Sequence, residues 1–222
     1  MKKIGIITIG QSPRPDILPD MMMILGEGYE VIEAGALDDY SLEDVQKLDL
    51  GKEEHLLVTR MRDGTEVMVS EAFVEPIIQQ RITEVEKEGV DVILLLCTGS
   101  FPEFEAKSLI VKPSEIMKGA VNAALRKGRL GIVLPGKKQI AGRPRERVEN
   151  GRVVYVDAAS PYGPVEEVER LAERLAEKNL DLILLNCMGF GHKMKQIVKE
   201  KTGKPVIQAN ALVARVLKEL VS

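Results

Sequence analysis

The chain has 222 residues, of which 45% are hydrophobic and 29% are charged, and its formal net charge is −3. This composition is typical of a globular α/β protein that buries one large core or two smaller ones. The charge balance excludes the basic surface that binding to nucleic acid or to an anionic membrane requires. No apolar run reaches the roughly 18 residues of a membrane span, and the first residues carry no cleavage-site pattern. We therefore expect a cytoplasmic protein with neither a membrane nor a nucleic acid as its partner.

The first part of the chain begins with a strand, a loop, a helix and a second strand. Their patterns predict these elements at residues 3–9, 10–16, 17–25 and 29–34. Residues 37–69 then depart from this alternation. They are acidic at first, and two alternating segments follow on either side of Asp63-Gly64, which is a strong hairpin signal. We interpret residues 37–69 as an insertion that contains a hairpin.

Two similar segments hold both cysteines of the sequence. They are Asp91–Phe101 (DVILLLCTGSF) and Asp181–Gly191 (DLILLNCMGFG). Each has an apolar run with an acidic residue in front and a Cys-x-Gly turn behind, which is typical of a parallel strand buried on both faces. Ligands of open α/β sheets bind at the carboxyl ends of the strands. Each run is therefore expected to bring its cysteine, Cys97 or Cys187, to a binding edge.

The opening strand also recurs, because RLGIVLPG at residues 129–136 resembles KIGIITIG at residues 3–10. This repeat predicts a first lobe at 1–128 and a second lobe at 129–222. Twin βα lobes normally face each other across a cleft, so the predicted fold is two flavodoxin-like parallel-sheet lobes in a pseudo-twofold arrangement. The sequence leaves open whether the last helix packs back on the first lobe. Within the second lobe, residues 137–148 predict a basic helix.

A pair of strand-end thiols suits the inversion of a carbon next to a carboxylate. One base removes the α-proton from one face, and a conjugate acid returns a proton to the other face. The thiolate is the active base, and a helix N-terminus behind each Cys-x-Gly turn is expected to stabilise it. Cys97 and Cys187 are thus the candidate catalytic residues. The neighbouring candidates for substrate binding are Thr98, Gly99, Ser100, Met188, Gly189 and His192.

Other interpretations of the cysteines stay open at this point. Cysteine is often a small buried apolar residue, and duplication of a lobe also produces matched cysteines without catalysis. A lyase or decarboxylase that uses one thiol is a further hypothesis. No Cys/His cluster has the spacing of a zinc site, so we expect no metal and no cofactor.

The loop that comes after the first strand is a third candidate site. Its residues Gly10, Gln11, Ser12 and Arg14 combine a strand-to-helix turn with a guanidinium, and both features bind anions. This loop supports a different class of function, a non-catalytic binder or sensor of a small anionic metabolite. The expected partner is in either case a small carboxylate or a phosphate-bearing metabolite. A homodimer is left open.

Three motifs together resemble the AroM family. They are TIGQSPRPD at Thr8–Asp16, DVILLLCT at Asp91–Thr98 and LLNCMGF at Leu184–Phe190. The resemblance runs nearly the whole length and implies a bacterial or archaeal cytoplasmic protein, from a family named for its association with aromatic amino-acid biosynthesis genes. More distantly, the paired cysteines and twin lobes are similar to the aspartate/glutamate racemase superfamily. That superfamily includes cofactor-independent racemases, maleate isomerase and arylmalonate decarboxylase.

The superfamily resemblance implies that Cys97 and Cys187 are the two catalytic thiols. Their neighbours differ from those of glutamate racemases, which typically have Cys-Asn-Thr and Cys-Thr-His where this chain has Cys-Thr-Gly and Cys-Met-Gly. The second turn is closer to the Cys-x-Gly turn of hydantoin-type racemases. Gln11-Ser12 replaces the opening Asp-Ser pair of amino-acid racemases. The resemblance therefore implies a two-thiol racemase or isomerase of a small carboxylate and leaves its amino-acid specificity open.

Overall fold

A computed structural model describes residues 2–50, 55–142 and 144–222. The strands are β1 (Lys2–Thr8), β2 (Tyr29–Gly35), β3 (Leu56–Arg60), β4 (Glu66–Ser70), β5 (Val92–Leu95), β6 (Leu109–Val111), β7 (Gly128–Leu134), β8 (Glu146–Glu149), β9 (Arg152–Ala158), β10 (Leu182–Leu185) and β11 (Val206–Gln208). The α-helices are α1 (Leu18–Leu25), α2 (Leu42–Gln46), α3 (Glu71–Glu86), α4 (Pro113–Ala124), α5 (Val165–Ala176), α6 (His192–Thr202) and α7 (Ala209–Val221). The predicted α/β class is confirmed. Among the described residues, no helix is both long and apolar enough to cross a membrane.

The chain divides into two compact units, which have related sheets. The first unit contains Met1–Ser114 and Ala214–Ser222, and the second contains Glu115–Val213. The first sheet is parallel in the order β2-β1-β5-β6, and the second has the order β11-β10-β7-β9-β8, with only β8 antiparallel. When β7, β9, β10 and β11 are matched to β1, β2, β5 and β6, the two orders agree and β8 is an addition. The repeat in the sequence therefore extends to the topology.

One glycine has the same structural task in both sheets. A Cβ on Gly5 of β1 would lie 2.5 Å from Val85 of α3, and a Cβ on Gly131 of β7 would lie 2.5 Å from Leu180. Both distances are too short for a methyl group in a close-packed interior. Glycine is favoured at each position because the segment that leads into the cysteine strand packs directly on this strand.

The aspartates that open the two cysteine strands are also equivalent. Asp91 accepts a hydrogen bond from the backbone N–H of Lys3, with 2.8 Å between Oδ2 and N. Asp181 accepts the corresponding bond from the backbone N–H of Arg129, also at 2.8 Å. Each carboxylate links the start of its own strand to the start of the neighbouring strand. The two cysteines therefore follow strands that are held in the same register.

The predicted hairpin region contains an antiparallel strand pair. β3 and β4 pair from Leu56 opposite Ser70 to Arg60 opposite Glu66, and Gly64 in the turn has φ 94°. Ser41 caps α2 in a reciprocal hydrogen-bonded arrangement with Asp44. Residues 51–54 of the predicted insertion lie outside the described residues. That residues 37–69 are an insertion stays a prediction.

The predicted basic helix at residues 137–148 is wrong. A short 3-10 helix covers only Lys137–Ile140, and strand β8 comes next, at the edge of the second sheet. Gly142 adopts φ 71° and Pro144 cannot donate a backbone hydrogen bond, so a helix cannot continue through this segment. Arg143 lies outside the described residues. β8 forms because its backbone pairs with β9.

Candidate functional site

Cys97 lies just beyond the carboxyl end of β5. Its thiol is half-buried and packs at the border of the core of the first unit. The backbone N–H of Gly99 donates to Sγ, with 3.3 Å between nitrogen and sulfur. Thr98 and Gly99 are half-buried, and Ser100 is exposed. The turn therefore presents a thiol that has a backbone donor at a strand end.

Cys187 occupies the corresponding place after β10 and is more buried. It is 8% exposed and belongs to the core of the second unit. The backbone N–H of Gly189 donates to its Sγ at 3.4 Å. Met188 is buried, and His192 is exposed as the first residue of α6. The glycine donor of the first turn is thus repeated here.

The two turns share the glycine donor, but the next element of secondary structure differs between them. A hydrogen bond to sulfur favours the thiolate over the neutral thiol. Behind Cys187, α6 begins five residues further along the chain. Behind Cys97, the described chain reaches strand β6 without any helix. The expected helix N-terminus is therefore present behind Cys187, and the expectation is wrong for Cys97.

Arg14, the candidate anion-binding cation of the Gly10 loop, is bound within its own unit. Arg14 is 3% exposed. Its Nε and Nη2 donate to the two carboxylate oxygens of Asp16 at 2.9 and 2.7 Å. Its Nη1 donates to Thr8 Oγ1 at 2.9 Å, and its backbone N–H donates to Glu33. A substrate carboxylate that used this guanidinium would have to displace Asp16.

Burial and Arg14 act in opposite directions on the pKa values of two nearby carboxyl groups. Burial raises the pKa of Asp16, but the hydrogen bonds and charge of Arg14 outweigh that effect and hold it below its ordinary 3.8. Burial raises the pKa of Glu33 above its ordinary 4.5, and the backbone N–H of Arg14 only partly opposes this. Arg14 and Asp16 therefore form an ion pair near neutral pH.

Gln11 and Ser12 also form hydrogen bonds within the unit. The Ser12 hydroxyl and backbone N–H both donate to Asp38, at 2.7 Å each. The Gln11 side-chain nitrogen donates to the Tyr40 carbonyl at 2.9 Å, and its side-chain oxygen accepts from the backbone N–H of Arg62 at 2.7 Å. The carbonyl of Gly10 accepts from Leu37. These contacts tie the Gly10 loop to the segment after β2 and to the β3–β4 pair.

Sequence reasoning missed Arg62, which lies in the turn between β3 and β4. It lines an open cleft of about 390 Å³ together with Gln11, Leu42, Met61 and Asp63. Its side chain is 56% exposed. Its Nε donates to the Ser12 carbonyl at 2.7 Å, and its Nη2 donates to Asp38 at 3.3 Å. The solvent-accessible guanidinium beside Gln11 is therefore that of Arg62, and no local signal in the sequence connects this turn to the Gly10 loop.

The candidate residues fall into two groups by unit. The Gly10 loop and the Cys97 turn come directly after β1 and β5, which are neighbouring parallel strands of the first sheet. Cys187, Met188 and Gly189 belong to the connection between β10 and α6 in the second unit, and His192 is the first residue of α6. Within the described part of the chain, no group of three or more His, Cys, Asp or Glu side chains is placed to hold a metal ion.

Solved structures of several enzymes have the same fold. An allantoin racemase from Klebsiella pneumoniae matches 100% of this chain and 88% of its own, with a TM-score of 0.58 and 14% identity. A glutamate racemase from Francisella tularensis, solved with D-glutamate, matches 99% of this chain and 81% of its own, with a TM-score of 0.56 and 15% identity. Unliganded arylmalonate decarboxylase matches 100% of this chain and 93% of its own, with a TM-score of 0.54 and 14% identity. At these identities the likeness shows the fold alone.

The sequence itself identifies a family. No curated protein matches it significantly. The family model described as AroM protein matches residues 4–221. Because this match spans nearly the whole sequence, the chain belongs to the AroM family.

Proposed function

We propose that the protein is a cofactor-independent racemase or isomerase of a small carboxylate, with Cys97 and Cys187 as its acid/base pair. One observation carries the proposal: each thiol comes after an equivalent parallel strand and accepts an N–H from the glycine two residues further on. This donor favours the thiolate that proton abstraction needs. The fold is also that of an allantoin racemase and a glutamate racemase, which supports this reaction class.

The reaction requires no oxidant and no group transfer. One thiolate takes the proton from the carbon next to the carboxylate, so a C–H bond breaks, an S–H bond forms and the electron pair is delocalised into the carboxylate. The other thiol then delivers its proton to the opposite face of that carbon, so its S–H bond breaks and a new C–H bond forms. The configuration is inverted, and the two sulfurs have exchanged their protonation states.

The residues beside each thiol hold the substrate in this proposal. Thr98 and Ser100 offer hydroxyl groups, and Gly99 offers backbone. In the second unit, Met188 contributes an apolar wall and Gly189 backbone, while His192 contributes a polar group. For Gly10, Gln11, Ser12 and Arg14 we propose that they shape the loop, because their polar groups already bind Asp38, Asp16 and other residues of the first unit.

Isotope exchange tests the proposal directly. The protein is incubated in heavy water with single enantiomers of dicarboxylic amino acids and of shikimate-pathway acids, and proton NMR monitors the α-hydrogen. The wild type should incorporate deuterium and invert the carbon of one of these acids. Cys97→Ser and Cys187→Ser should each lose inversion, because each variant lacks one of the two proton carriers.

Two outcomes of this experiment contradict the two-thiol mechanism. One is the absence of deuterium incorporation with every acid, together with thiols that iodoacetamide alkylates no faster than free cysteine near neutral pH. The other is full activity in either serine variant. Loss of CO₂ from a malonate-type acid with only one cysteine required would instead identify a decarboxylase.

A second candidate function is a non-catalytic binder of a small anionic metabolite. The observation that favours it is the cleft beside Gln11, where Arg62 offers an accessible guanidinium. Binding of the same acids and of inorganic phosphate is measured by calorimetry. This function predicts that Cys97→Ser and Cys187→Ser bind as the wild type does and that Arg62→Ala does not bind. Undiminished binding by Arg62→Ala would exclude it.

A further inference from the structure

The strand that comes after each cysteine strand pairs with it in the same register. In β5, Leu94 lies three positions before Cys97 and opposite Val111 of β6. In β10, Leu184 lies three positions before Cys187 and opposite Ile207 of β11. The next residues along, Lys112 just beyond β6 and Gln208 at the end of β11, therefore occupy corresponding positions. Both lie beside the end of a cysteine strand.

Gln208 is bonded to the turn that contains Cys187. It is 2% exposed, and its Nε2 donates to the Phe190 carbonyl at 2.7 Å and to Asn210 Oδ1 at 3.0 Å. Since both partners are acceptors, the side-chain nitrogen must face them. The backbone N–H of Phe190 donates in turn to the Cys187 carbonyl at 3.3 Å. Gln208 thus anchors the last residue of the turn.

The middle of that turn is packed against two other side chains. A Cβ on Gly189 would lie 2.8 Å from Tyr162 Oη and 3.0 Å from Pro161 Cγ, so a larger residue would have to displace these side chains. The backbone N–H of this glycine is the group that donates to the sulfur of Cys187. Because the turn is anchored at Phe190 and packed at Gly189, the donor is held against the thiol.

Lys112 has the matching contact in the first unit. Its side chain is 12% exposed, and its Nζ donates to the Pro102 carbonyl at 2.8 Å and pairs with Glu103 at 2.7 Å. Phe101, the residue before Pro102, is 9% exposed, and its ring would lie 3.1 Å from a Cβ on Gly99. Lys112 therefore fixes the segment that packs against Gly99, whose N–H donates to the sulfur of Cys97.

We propose that Lys112 and Gln208 are equivalent positioning residues, each of which keeps the glycine N–H donor against one thiol. Neither side chain is proposed to touch a reacting atom. The inference rests on the proposed function, in which both thiols transfer protons. It can nevertheless be measured without any substrate.

The test is the pH dependence of alkylation in the native protein. Iodoacetamide is applied from about pH 5 to about pH 10, a range that spans ordinary thiol ionisation. Mass spectrometry quantifies the peptides of Cys97 and Cys187 separately. Gln208→Met removes one donor and should raise the alkylation midpoint of Cys187 by roughly half a pH unit to one pH unit, leaving that of Cys97 unchanged. Lys112→Met should do the reverse.

Two matched variants separate anchoring from charge and from packing. Lys112→Gln removes the positive charge beside Glu103 but keeps a side-chain N–H donor, so it should leave the midpoint of Cys97 near the wild-type value. Asn210→Ala removes the other acceptor of Gln208 and keeps its bond to the Phe190 carbonyl, so it should leave the midpoint of Cys187 near the wild-type value. Lys112 and Glu103 in the first unit, and Tyr162 and His192 in the second, are the charged or titratable side chains on the segments around the two turns, and the Gln208 variant changes none of them.

Three results would overturn the inference. One is an equal shift of both midpoints by either methionine variant, which would indicate a general loosening of the structure. Another is the absence of any shift in methionine variants that unfold like the wild type in urea. The last is a shift by Lys112→Gln as large as that by Lys112→Met, which would assign the effect to charge. If Gln208→Met does not fold, Lys112→Met decides the question at the less buried position. Failed isotope exchange, together with wild-type thiols that are alkylated no faster than free cysteine, would contradict the proposed function, whereas shifted midpoints in the methionine variants would leave this inference standing.

Discussion

Replacement of Arg14 by alanine distinguishes a structural arginine from one that binds substrate. The change removes two hydrogen bonds to Asp16 and one to Thr8 from a residue that is 3% exposed. Breaking a buried ion pair costs about 3–5 kcal/mol. Because the Asp16 side chain is 19% exposed and stays partly hydrated, the expected loss is at the low end, about 3 kcal/mol. We therefore expect Arg14→Ala to reduce stability before it reduces ligand affinity.

Urea denaturation near pH 7 measures this loss, and Arg60→Ala is the matched control. Arg60 Nη1 lies 4.0 Å from Asp16, its side chain is 32% exposed and its Nε donates to the Gly64 carbonyl at 2.7 Å, so its removal should cost less than Arg14→Ala, about 1–2 kcal/mol. The pKa of Asp16 in the folded protein lies below 3.8, so its contribution is complete above that value and is lost as the pH falls through the folded pKa. The difference between wild type and Arg14→Ala should therefore shrink below about pH 4. An Arg14→Ala protein of wild-type stability that cannot bind the acids would refute this reasoning.

Three further substitutions test packing and ion pairing. Gly189→Ala places a methyl group 2.8 Å from Tyr162 Oη. It should lower the free energy of unfolding measured in urea by about 1–3 kcal/mol and raise the alkylation midpoint of Cys187, and an unchanged midpoint would contradict the role of this turn in ionisation of the thiol. Gly5→Ala should cost a similar amount, about 1–3 kcal/mol, without altering that midpoint, and wild-type stability would contradict the close packing of its strand. Asp157→Ala removes a carboxylate that is 3% exposed and pairs with both Arg145 and Arg174, and it should cost about 3 kcal/mol near neutral pH. Burial raises the pKa of Asp157, but the bond from Arg174 and other donors hold it below 3.8, so this cost should fall as the pH drops below that value; a cost independent of pH would contradict the ion pair.

The duplicated architecture could be predicted because its signals are local. Two apolar runs that end in Cys-x-Gly, and two opening strands that carry a glycine, are visible as patterns of neighbouring residues. The structure gives both patterns a physical basis. Gly5 and Gly131 permit close packing, and Asp91 and Asp181 bond to the adjacent strand.

The segment after Lys137 shows where local reasoning fails. Its basic residues favoured a helix, but a strand forms because the backbone of β8 pairs with β9 at the sheet edge. Arg14 shows the same limit for the site. A guanidinium between two prolines indicated an anion-binding group, yet Asp16 and Thr8 occupy its donors in the folded chain. Both outcomes depend on what surrounds the residue in space.

The sequence by itself determined the α/β class, the repeat and the two strand-end cysteines, because hydrophobic periodicity and turn residues act over short distances along the chain. Only the tertiary structure decided which polar groups meet. It bonded Arg14 to Asp16, brought Arg62 to Gln11 and anchored the turns after Cys97 and Cys187 through Lys112 and Gln208. The contacts of Arg62 with Gln11 and of Gln208 with Phe190 join residues 51 and 18 positions apart in the chain. Arg14 and Gln208 are buried, and their donors must find partners because folding has removed water from them.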